Sequence, residues 1–267
     1  MGRESDKRWV SLGKALSGDF DKQSSMESAE YHKMAAVEDA MWYYRALHAH
    51  VARELKARLP AGPARVLDAG CGTGGLIRRL GPMQPDWHWT GIDVEPLACA
   101  LARQLGAQAV LEGSVSALPF GDGEFDAVVS ADVLYHLDDD EAALHEMRRV
   151  LRPGGIMIIN VPAHRWLWSY HDVAVHGRRR YGRSEMTAKL ARAGLRVAWL
   201  THWNTVLLPL IAARRKLLPA PKGGSDVKLA APWVEATLTT VMRGEAFWLQ
   251  HISTLPAGSS ILAVARR

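Results

Sequence analysis

The most informative stretch of this sequence is Val66-Leu-Asp-Ala-Gly-Cys-Gly-Thr-Gly-Gly75. Residues 65–69 are typical of a short buried strand, and the glycine-rich turn after them leads into a helical pattern that extends to Leu80. Glycine lets a backbone approach a ligand closely, because it tolerates positive φ and has no side chain to clash. The stretch therefore predicts a strand, a ligand-binding loop and a helix, in that order.

Strand-like and helix-like segments alternate along most of the remaining chain. The predicted strands are residues 65–69, 89–92, 108–111, 125–130, 156–161, 196–200 and 260–265. The predicted helices between them include residues 96–105, 139–151 and 184–193. Because this alternation is typical of a parallel sheet covered by helices on both faces, we predict an α/β fold with seven strands.

The two flanks of this core differ from it in pattern. Residues 1 to about 30 are polar and aperiodic, whereas apolar residues recur every three or four positions from 35 to 59 and predict one long helix. We therefore expect residues 1–60 to form an N-terminal arm and helical cap, and residues 61–267 to form the main domain. Prolines and glycines interrupt residues 203–255, which we interpret as an insertion before the last strand with two helical patches. Within it, residues 222–228 are expected to be disordered.

Composition excludes several classes of protein. The chain has 267 residues, of which 48% are hydrophobic and 23% charged, so it can bury a core and is neither collagenous nor wholly disordered. Its longest apolar run is far shorter than the roughly 20 residues needed to cross a bilayer. The N-terminus lacks the apolar segment of a secretory signal, and the two cysteines have no metal-binding spacing. We therefore expect a cytoplasmic protein without a metal site.

Two carboxylates refine the prediction for the glycine loop. Gly70, Gly72 and Gly75 satisfy G-x-G-x-x-G, and Asp93 is placed to hold a ribose as in a nicotinamide-binding fold. Asp68, however, stands at the carboxyl end of the first predicted strand. A carboxylate beside the loop suits a ligand that carries a positive group and is poorly suited to a pyrophosphate.

Five segments, in this order and spacing, resemble the class I S-adenosylmethionine-dependent methyltransferases. They are the glycine stretch quoted above, Gly91-Ile-Asp-Val-Glu95, Gly113-Ser-Val-Ser-Ala-Leu-Pro-Phe120, Phe125-Asp-Ala-Val-Val-Ser-Ala-Asp-Val-Leu-Tyr-His136 and Leu151-Arg-Pro-Gly-Gly155. The resemblance implies a Rossmann-like, seven-stranded, mostly parallel sheet whose last strand is antiparallel. It also implies that the cofactor is S-adenosyl-L-methionine and that the product is S-adenosyl-L-homocysteine.

The resemblance further implies which residues bind the cofactor. The loop glycines would cradle its methionine portion with support from Asp68, and Asp93 would accept both ribose hydroxyls. Ser114 stands where many relatives carry an Asp that accepts from the adenine amino group, so adenine recognition here would rely on backbone groups or water. Cys71 is interpreted as a small buried thiol and not as a nucleophile. The full predicted set is Asp68, Ala69, Gly70, Cys71, Gly72, Gly74, Asp93, Val94, Ser114, Val115, Asp132 and Val133.

Candidate catalytic residues follow the fourth and fifth strands. Methyl transfer from a sulfonium is an in-line displacement, so a base is needed only when the acceptor atom must lose a proton. His171 and Asp172 are predicted to be a base with its orienting partner, or a clamp on the acceptor. The predicted catalytic residues are His136, His171, Asp172 and Tyr181. For His136 the open alternative is a role in packing only. Residues 162–183 are predicted to form a lid over the substrate, and the open alternative is an ordered segment stabilised by its own polar contacts.

Aromatic and basic residues near these positions are candidates for binding the acceptor. They also resemble a bacterial subgroup of the family, similar to methyltransferase type 11. The predicted substrate-binding residues are Trp42, Tyr43, Arg45, Trp168, Arg179, Arg180 and Trp203. The two consecutive arginines, with Tyr181, would hold an anionic group such as phosphate or carboxylate. Trp42 and Arg45 lie outside the apolar stripe of their helix. Three roles for them are equally open: a cap on the pocket, an interface, and a solvated helix face.

Residues 206–218 are apolar, then basic, then apolar. Such a segment suits the surface of an anionic membrane or a cover over a lipid-like acceptor. The open alternative is that it packs on the sheet edge or forms a dimer contact, so both a monomer and a homodimer are considered.

These observations favour a methyltransferase that acts on an oxygen or nitrogen of a small-molecule or lipid-linked acceptor. Nicotinamide-dependent reduction is disfavoured by Asp68. The alternatives are an RNA or protein methyltransferase and a cofactor-binding scaffold without catalysis. Nucleic acid is a disfavoured partner, because Ala131-Asp-Val-Leu134 stands where relatives that methylate base nitrogens carry an Asn-Pro-Pro-Tyr-like tetrapeptide.

Overall fold

A seven-stranded sheet organises the chain. The computed structural model describes residues 28–107, 109–220 and 225–267. Outside the described residues lie the predicted arm over residues 1–27, Gln108, and residues 222–224 of the segment expected to be disordered. The strands are β1 Ala64–Ala69, β2 Trp87–Asp93, β3 Val110–Glu112, β4 Phe125–Ala131, β5 Leu151–Pro162, β6 Arg196–Trp203 and β7 Ser260–Arg266.

The order of the strands across the sheet is β3-β2-β1-β4-β5-β7-β6. Neighbouring strands from β3 to β5 are parallel, whereas β7 runs antiparallel to both β5 and β6. The predicted Rossmann-like fold with an antiparallel last strand is therefore confirmed. The strand order reverses between β1 and β4, and in open α/β sheets ligands bind at the carboxyl ends of the strands beside such a switch point.

Nine helices of four residues or more accompany the sheet in the described part of the chain. They are α1 Ser28–Val37, α2 Trp42–Arg58, α3 Gly75–Leu80, α4 Pro96–Gln104, α5 Asp140–Val150, α6 Tyr170–Ala174, α7 Arg183–Arg192, α8 Leu208–Leu217 and α9 Pro232–His251. The last two are the helical patches expected in the insertion. None of the described helices combines the length and the hydropathy needed to span a bilayer.

Two hydrophobic clusters cover the two faces of the sheet. Successive side chains of a strand point to opposite faces, so Leu67 and Val128 join one cluster while Val66 and Val129 join the other. The first cluster packs against α5 and α7, and the second packs against α2, α3 and α9. Burial on both faces explains why the parallel strands read as continuous apolar runs.

The N-terminal helical region differs from the prediction of one helix over residues 35–59. The chain forms α1 and α2 instead, with Met41 in an extended conformation (φ −65°, ψ 131°) before the second helix. At this break the side chain of Glu38 accepts hydrogen bonds from the hydroxyl of Thr73 and the N–H of Gly75 in the glycine loop. Apolar periodicity continues through the break, because it records burial and not continuity of the helix.

Candidate functional site

The glycine loop follows β1 at the switch point of the sheet. The N–H groups of Gly70 and Cys71 both donate to the carbonyl of Ile92, which ties the loop to β2. Gly70 and Gly72 have φ of +85° and +51°, a region that L side chains rarely adopt. A Cβ atom would lie 2.2 Å from Val133 at Gly70 and 2.7 Å from Met34 at Gly72. Both positions therefore favour glycine for their conformation, and Gly70 also for its close approach to Val133.

Three acidic side chains surround this loop. Asp93 accepts hydrogen bonds from the N–H of Gly72 at 2.8 Å and from the N–H of Glu95 at 3.0 Å. Burial raises the pKa of Asp93, and burial together with the charges of Glu38 and Asp93 raises the pKa of Asp68 well above its usual value. Negative charge crowded into a buried site favours a cationic ligand, so the residues fit a sulfonium cofactor.

Glu38 and Met34 belong to this site, although sequence reasoning missed both. Glu38 is buried at the end of α1 and binds the Thr73 hydroxyl at 2.5 Å and the Gly75 N–H at 3.1 Å. Met34 lies over Gly72. Through these two side chains α1 contacts the outer side of the loop. No sequence signal separated these residues from an ordinary helix face.

The other predicted cofactor residues lie around the ends of β2 and β3. The N–H of Gly113 donates to the carbonyl of Asp93 and joins these two strand ends. Ser114 accepts from the N–H of Ser116 at 3.1 Å, and Val115 is buried whereas Val94 is exposed. Burial raises the pKa of the Cys71 thiol well above its usual value, which agrees with its interpretation as an unreactive thiol.

Asp132 stands at the carboxyl end of β4 and is the centre of a polar network. Its φ is +56°, which is rare for a residue other than glycine. One carboxylate oxygen accepts from the hydroxyl of Tyr43 at 2.8 Å, and the other accepts from the amide of Asn160 at 2.8 Å. Burial raises the pKa of Asp132 to about 6, although both hydrogen bonds favour its charged form.

The network continues to Trp203 on β6. The indole N–H of Trp203 donates to the side-chain oxygen of Asn160 at 2.7 Å, and its ring stacks on Tyr43 with centroids 5.2 Å apart. The structure therefore brings together Tyr43 and Trp203, predicted to bind substrate, and Asp132, predicted to bind cofactor. Trp203 is fully buried, so its ring contacts protein atoms. Asn160 was not predicted, since only the pairing of β4 with β5 places it beside Asp132.

The predicted pairing of His171 with Asp172 is not the arrangement in the structure. Both oxygens of Asp172 accept from the buried guanidinium of Arg180, at 2.7 and 3.1 Å, and one also accepts from the N–H of Ser169. The Nδ1 atom of His171 instead accepts from the backbone N–H of Asp226 at 3.1 Å. Burial lowers the pKa of His171 to about 4. The carboxylate of Asp172 thus binds Arg180 and, together with Ser169, caps the N-terminus of α6.

Arg179, Arg180 and Tyr181 also have protein partners in place of an open anion site. Tyr181 is fully buried and donates to Asp140 at 2.7 Å. Arg179 donates to the carbonyls of Leu137 and Asp138 at 3.0 and 2.8 Å. Both side chains therefore bind residues 137–140, outside the predicted lid, whereas the pair of Arg180 with Asp172 lies within it.

The remaining predicted residues lie around the network or on the lid. Burial lowers the pKa of His136 to about 4, and its ring packs on Tyr135 with centroids 3.9 Å apart. Trp42 packs edge-on against Tyr43, with centroids 5.9 Å apart. Arg45 lies half-buried on the same helix, and the carbonyl of Trp168 accepts from Lys216 at 2.9 Å.

Comparisons with known proteins agree with this geometry. A family model described as "Methyltransferase domain" matches residues 67–159. The malonyl-[acyl-carrier protein] O-methyltransferase of Geobacter sulfurreducens is 35% identical over 188 residues, which cover 62% of this chain and 68% of that protein. The corresponding enzyme of Enterobacter lignolyticus is 35% identical over 155 residues, covering 53% and 58%. Ajmaline N-methyltransferase of Rauvolfia serpentina is 36% identical over 110 residues, covering 39% and 38%.

A solved structure supports the same fold. It is a chain from the complex between the Haloferax volcanii Trm112 methyltransferase activator and a methyltransferase, with a TM-score of 0.57 and 22% identity, covering 89% of this chain and 97% of that one. The strand order, the glycine loop and the acid at the end of β2 define a Rossmann-like cofactor-binding sheet. The chain belongs to the class I S-adenosylmethionine-dependent methyltransferases, whose cofactor is S-adenosylmethionine. It spans little more than half of the Enterobacter protein's length and less of the Rauvolfia protein's.

Proposed function

We propose that this protein transfers a methyl group to an oxygen or nitrogen of a small-molecule or lipid-linked acceptor by in-line displacement. The observation that carries the proposal is the meeting of the glycine loop, Asp93 and Asp132 at the adjacent ends of β1, β2 and β4. The bound cofactor supplies an electrophilic methyl group on a sulfonium. Similarity to both an O- and an N-methyltransferase supports either acceptor atom.

In this proposal the chain contributes binding groups and one base. Asp93 accepts the ribose hydroxyls, while Asp68 and the loop backbone hold the methionine portion. Asp132 takes the proton that a hydroxyl or amine acceptor must lose, and Tyr43 and Asn160 keep its carboxylate oriented. A pKa of about 6 leaves this carboxylate mostly ionised at neutral pH. Because this pKa lies close to neutral pH, the carboxylate can also accept a proton during the reaction.

We further propose that the N-terminal helices act as a cap on the methyltransferase domain of residues 61–267. Glu38 and Met34 contact the glycine loop, and Tyr43 contacts Asp132, so α1 and α2 lie over both the cofactor side and the acceptor side. The lid at residues 162–183 would then bound the acceptor pocket without supplying its chemistry. His136, in this proposal, is a neutral wall residue.

The test is transfer of labelled methyl from S-adenosylmethionine to a panel of hydroxyl, amine and lipid-linked acceptors. Label recovered on one acceptor class, and lost in an Asp132→Asn variant that still binds cofactor, is the expected result. Cofactor binding without transfer to any member of the panel would favour the scaffold alternative. Label found on RNA or protein would replace the small-molecule acceptor by those substrates.

A further inference from the structure

The insertion between β6 and β7 presents an apolar stripe to solvent on α8. Leu210 and Leu217 are 62% and 79% exposed. They are seven residues apart, so both lie on the same face of the helix. Leu218, directly after the helix, is 56% exposed. This face has no covering element in the described part of the chain, whereas Ile211 packs toward the core.

Cationic side chains border this stripe. Successive residues of a helix are rotated by about 100° around its axis. Arg214 therefore lies about 40° from Leu210 on one side of the stripe, and Lys216 lies about 100° from Leu217 on the other side. Arg214 donates to the carbonyl of Pro219 and Lys216 donates to the carbonyl of Trp168, each at 2.9 Å. Neither forms an ion pair with a carboxylate among the described residues, whereas Arg215 pairs with Asp226 at 3.2 Å. Arg214 also lies over the ring of Tyr170, 5.4 Å from its centroid. Helix α8 thus carries exposed leucines and two cations that have no carboxylate partner among the described residues.

Helix α9 has an outer face of similar character. Trp233, Phe247 and Trp248 are 73%, 57% and 57% exposed. The two acids of α9 turn away from this face: Glu245 is buried and accepts the N–H groups at the entrance to α8, and Glu235 accepts from the N–H groups of Trp42 and Ala230. Helix α8 contains no acid. On α9, Arg243 is exposed and Glu235 is half-buried and held by these two N–H groups.

We propose that the exposed faces of α8 and α9 bind the surface of an anionic phospholipid bilayer. Leucine and tryptophan side chains on such helices settle at the boundary between headgroups and acyl chains, and arginine and lysine bind the phosphates. The three cations of α8, on a helix without an acid, give the charge complementarity that an anionic surface requires. Lys216 of this surface contacts the lid through the carbonyl of Trp168. Binding to a bilayer requires no methyl transfer, however, so this inference does not rest on the proposed function.

The experiment measures how much of the full-length protein sediments with vesicles of pure phosphatidylcholine and with vesicles that also contain phosphatidylglycerol. Phosphatidylglycerol makes up about a third of the lipid in the second kind, which gives the vesicles a strong negative charge. Binding to the anionic vesicles that weakens with salt is expected. An Arg214→Gln/Lys216→Gln variant is expected to lose about 30-fold of this partitioning, at about fivefold per cation. A Leu210→Glu/Leu217→Glu variant is expected to lose at least about tenfold, because it removes apolar area and adds negative charge.

The control is Met83→Glu, which places one negative charge at an exposed apolar residue outside the insertion and is expected to bind vesicles as the unmodified protein does. Circular dichroism and binding of S-adenosylhomocysteine report whether each variant is folded, and no methyl acceptor is present, so the outcome is independent of catalysis. Failure of the unmodified protein to bind anionic vesicles at low salt would overturn the proposal. The proposal would also be overturned if the unmodified protein were a dimer that did not bind vesicles and that the leucine variant dissociated. The exposed face would then join two copies of the chain.

Discussion

Asp132 illustrates how one residue links fold and chemistry. It takes a positive φ at the end of β4, and this conformation places its carboxylate between Tyr43 and Asn160. Non-glycine residues in such conformations cost free energy, and they concentrate at functional sites. Its position in the sequence predicted contact with cofactor, but the network and the raised pKa appear only when α2 and β5 are brought beside it.

Replacing Asp132 by Asn is expected to lower the rate of methyl transfer at least about 100-fold, because the proposed base is lost. S-adenosylhomocysteine affinity should change little. In the unmodified protein, kcat/KM should rise with pH through about 6 and then level off, because the carboxylate accepts a proton only when ionised. The pH profile between 5 and 8 is the measurement, and a flat profile would contradict a catalytic role.

A Tyr43→Phe variant separates positioning from packing. It keeps the ring that stacks on Trp203 but removes a hydrogen bond that lowers the pKa of Asp132. The midpoint of the pH profile should therefore move to higher pH. An unchanged midpoint with a reduced rate would mean that Tyr43 acts only through packing.

Replacing Asp93 by Ala is expected to weaken cofactor binding by about 1.5–3 kcal/mol, the contribution of hydrogen bonds to a charged group. Calorimetric titration with S-adenosylhomocysteine gives this difference directly. The control is Asp86→Ala, which removes an exposed carboxylate just before the opposite end of β2. Equal affinities for the Asp93 variant and the unmodified protein would remove Asp93 from the site.

At the scale of elements, the parts that sequence predicts well are those whose signals are local. The strand and glycine loop at residues 64–75 have a pattern that needs no distant partner, and the structure places β1 within one residue of the prediction. The break between α1 and α2 coincides with a long-range contact, the hydrogen bond of Glu38 with Thr73, 35 positions away. The predicted pair of His171 with Asp172 differs from the structure for a similar reason, because Asp172 binds Arg180, eight positions away, instead.

Breaking the lid ion pair is expected to destabilise the protein strongly. Arg180→Ala leaves the buried Asp172 carboxylate without its partner, which costs about 3–5 kcal/mol in free energy of unfolding. Arg178→Ala removes an exposed arginine that pairs with exposed Asp138 and should cost less than about 1 kcal/mol. Urea denaturation of the two variants compares them. Similar losses for both would mean that the buried pair does not hold the lid.

For the whole molecule, sheet topology determines which residues can act together. The reversal between β1 and β4 opens the crevice, α1 covers the glycine loop, and α2 contributes Tyr43 to Asp132. The family motifs predicted the meeting of the glycine loop with Asp93, because both lie at strand ends at one edge of the sheet, but they did not predict the contact with α1. They predicted less of the acceptor side, because its residues come from α2, β5 and β6 and are joined only by long-range contacts.

The central claim is that the buried acids and the glycine loop bind a sulfonium cofactor and its product. Calorimetric titration of the unmodified protein with S-adenosylmethionine, S-adenosylhomocysteine and NADH tests it without knowledge of the acceptor. Binding of the two sulfur nucleosides and none of NADH is predicted, with each molecule of protein taking one molecule of ligand. Binding of NADH alone, or of none of the three, would contradict the account.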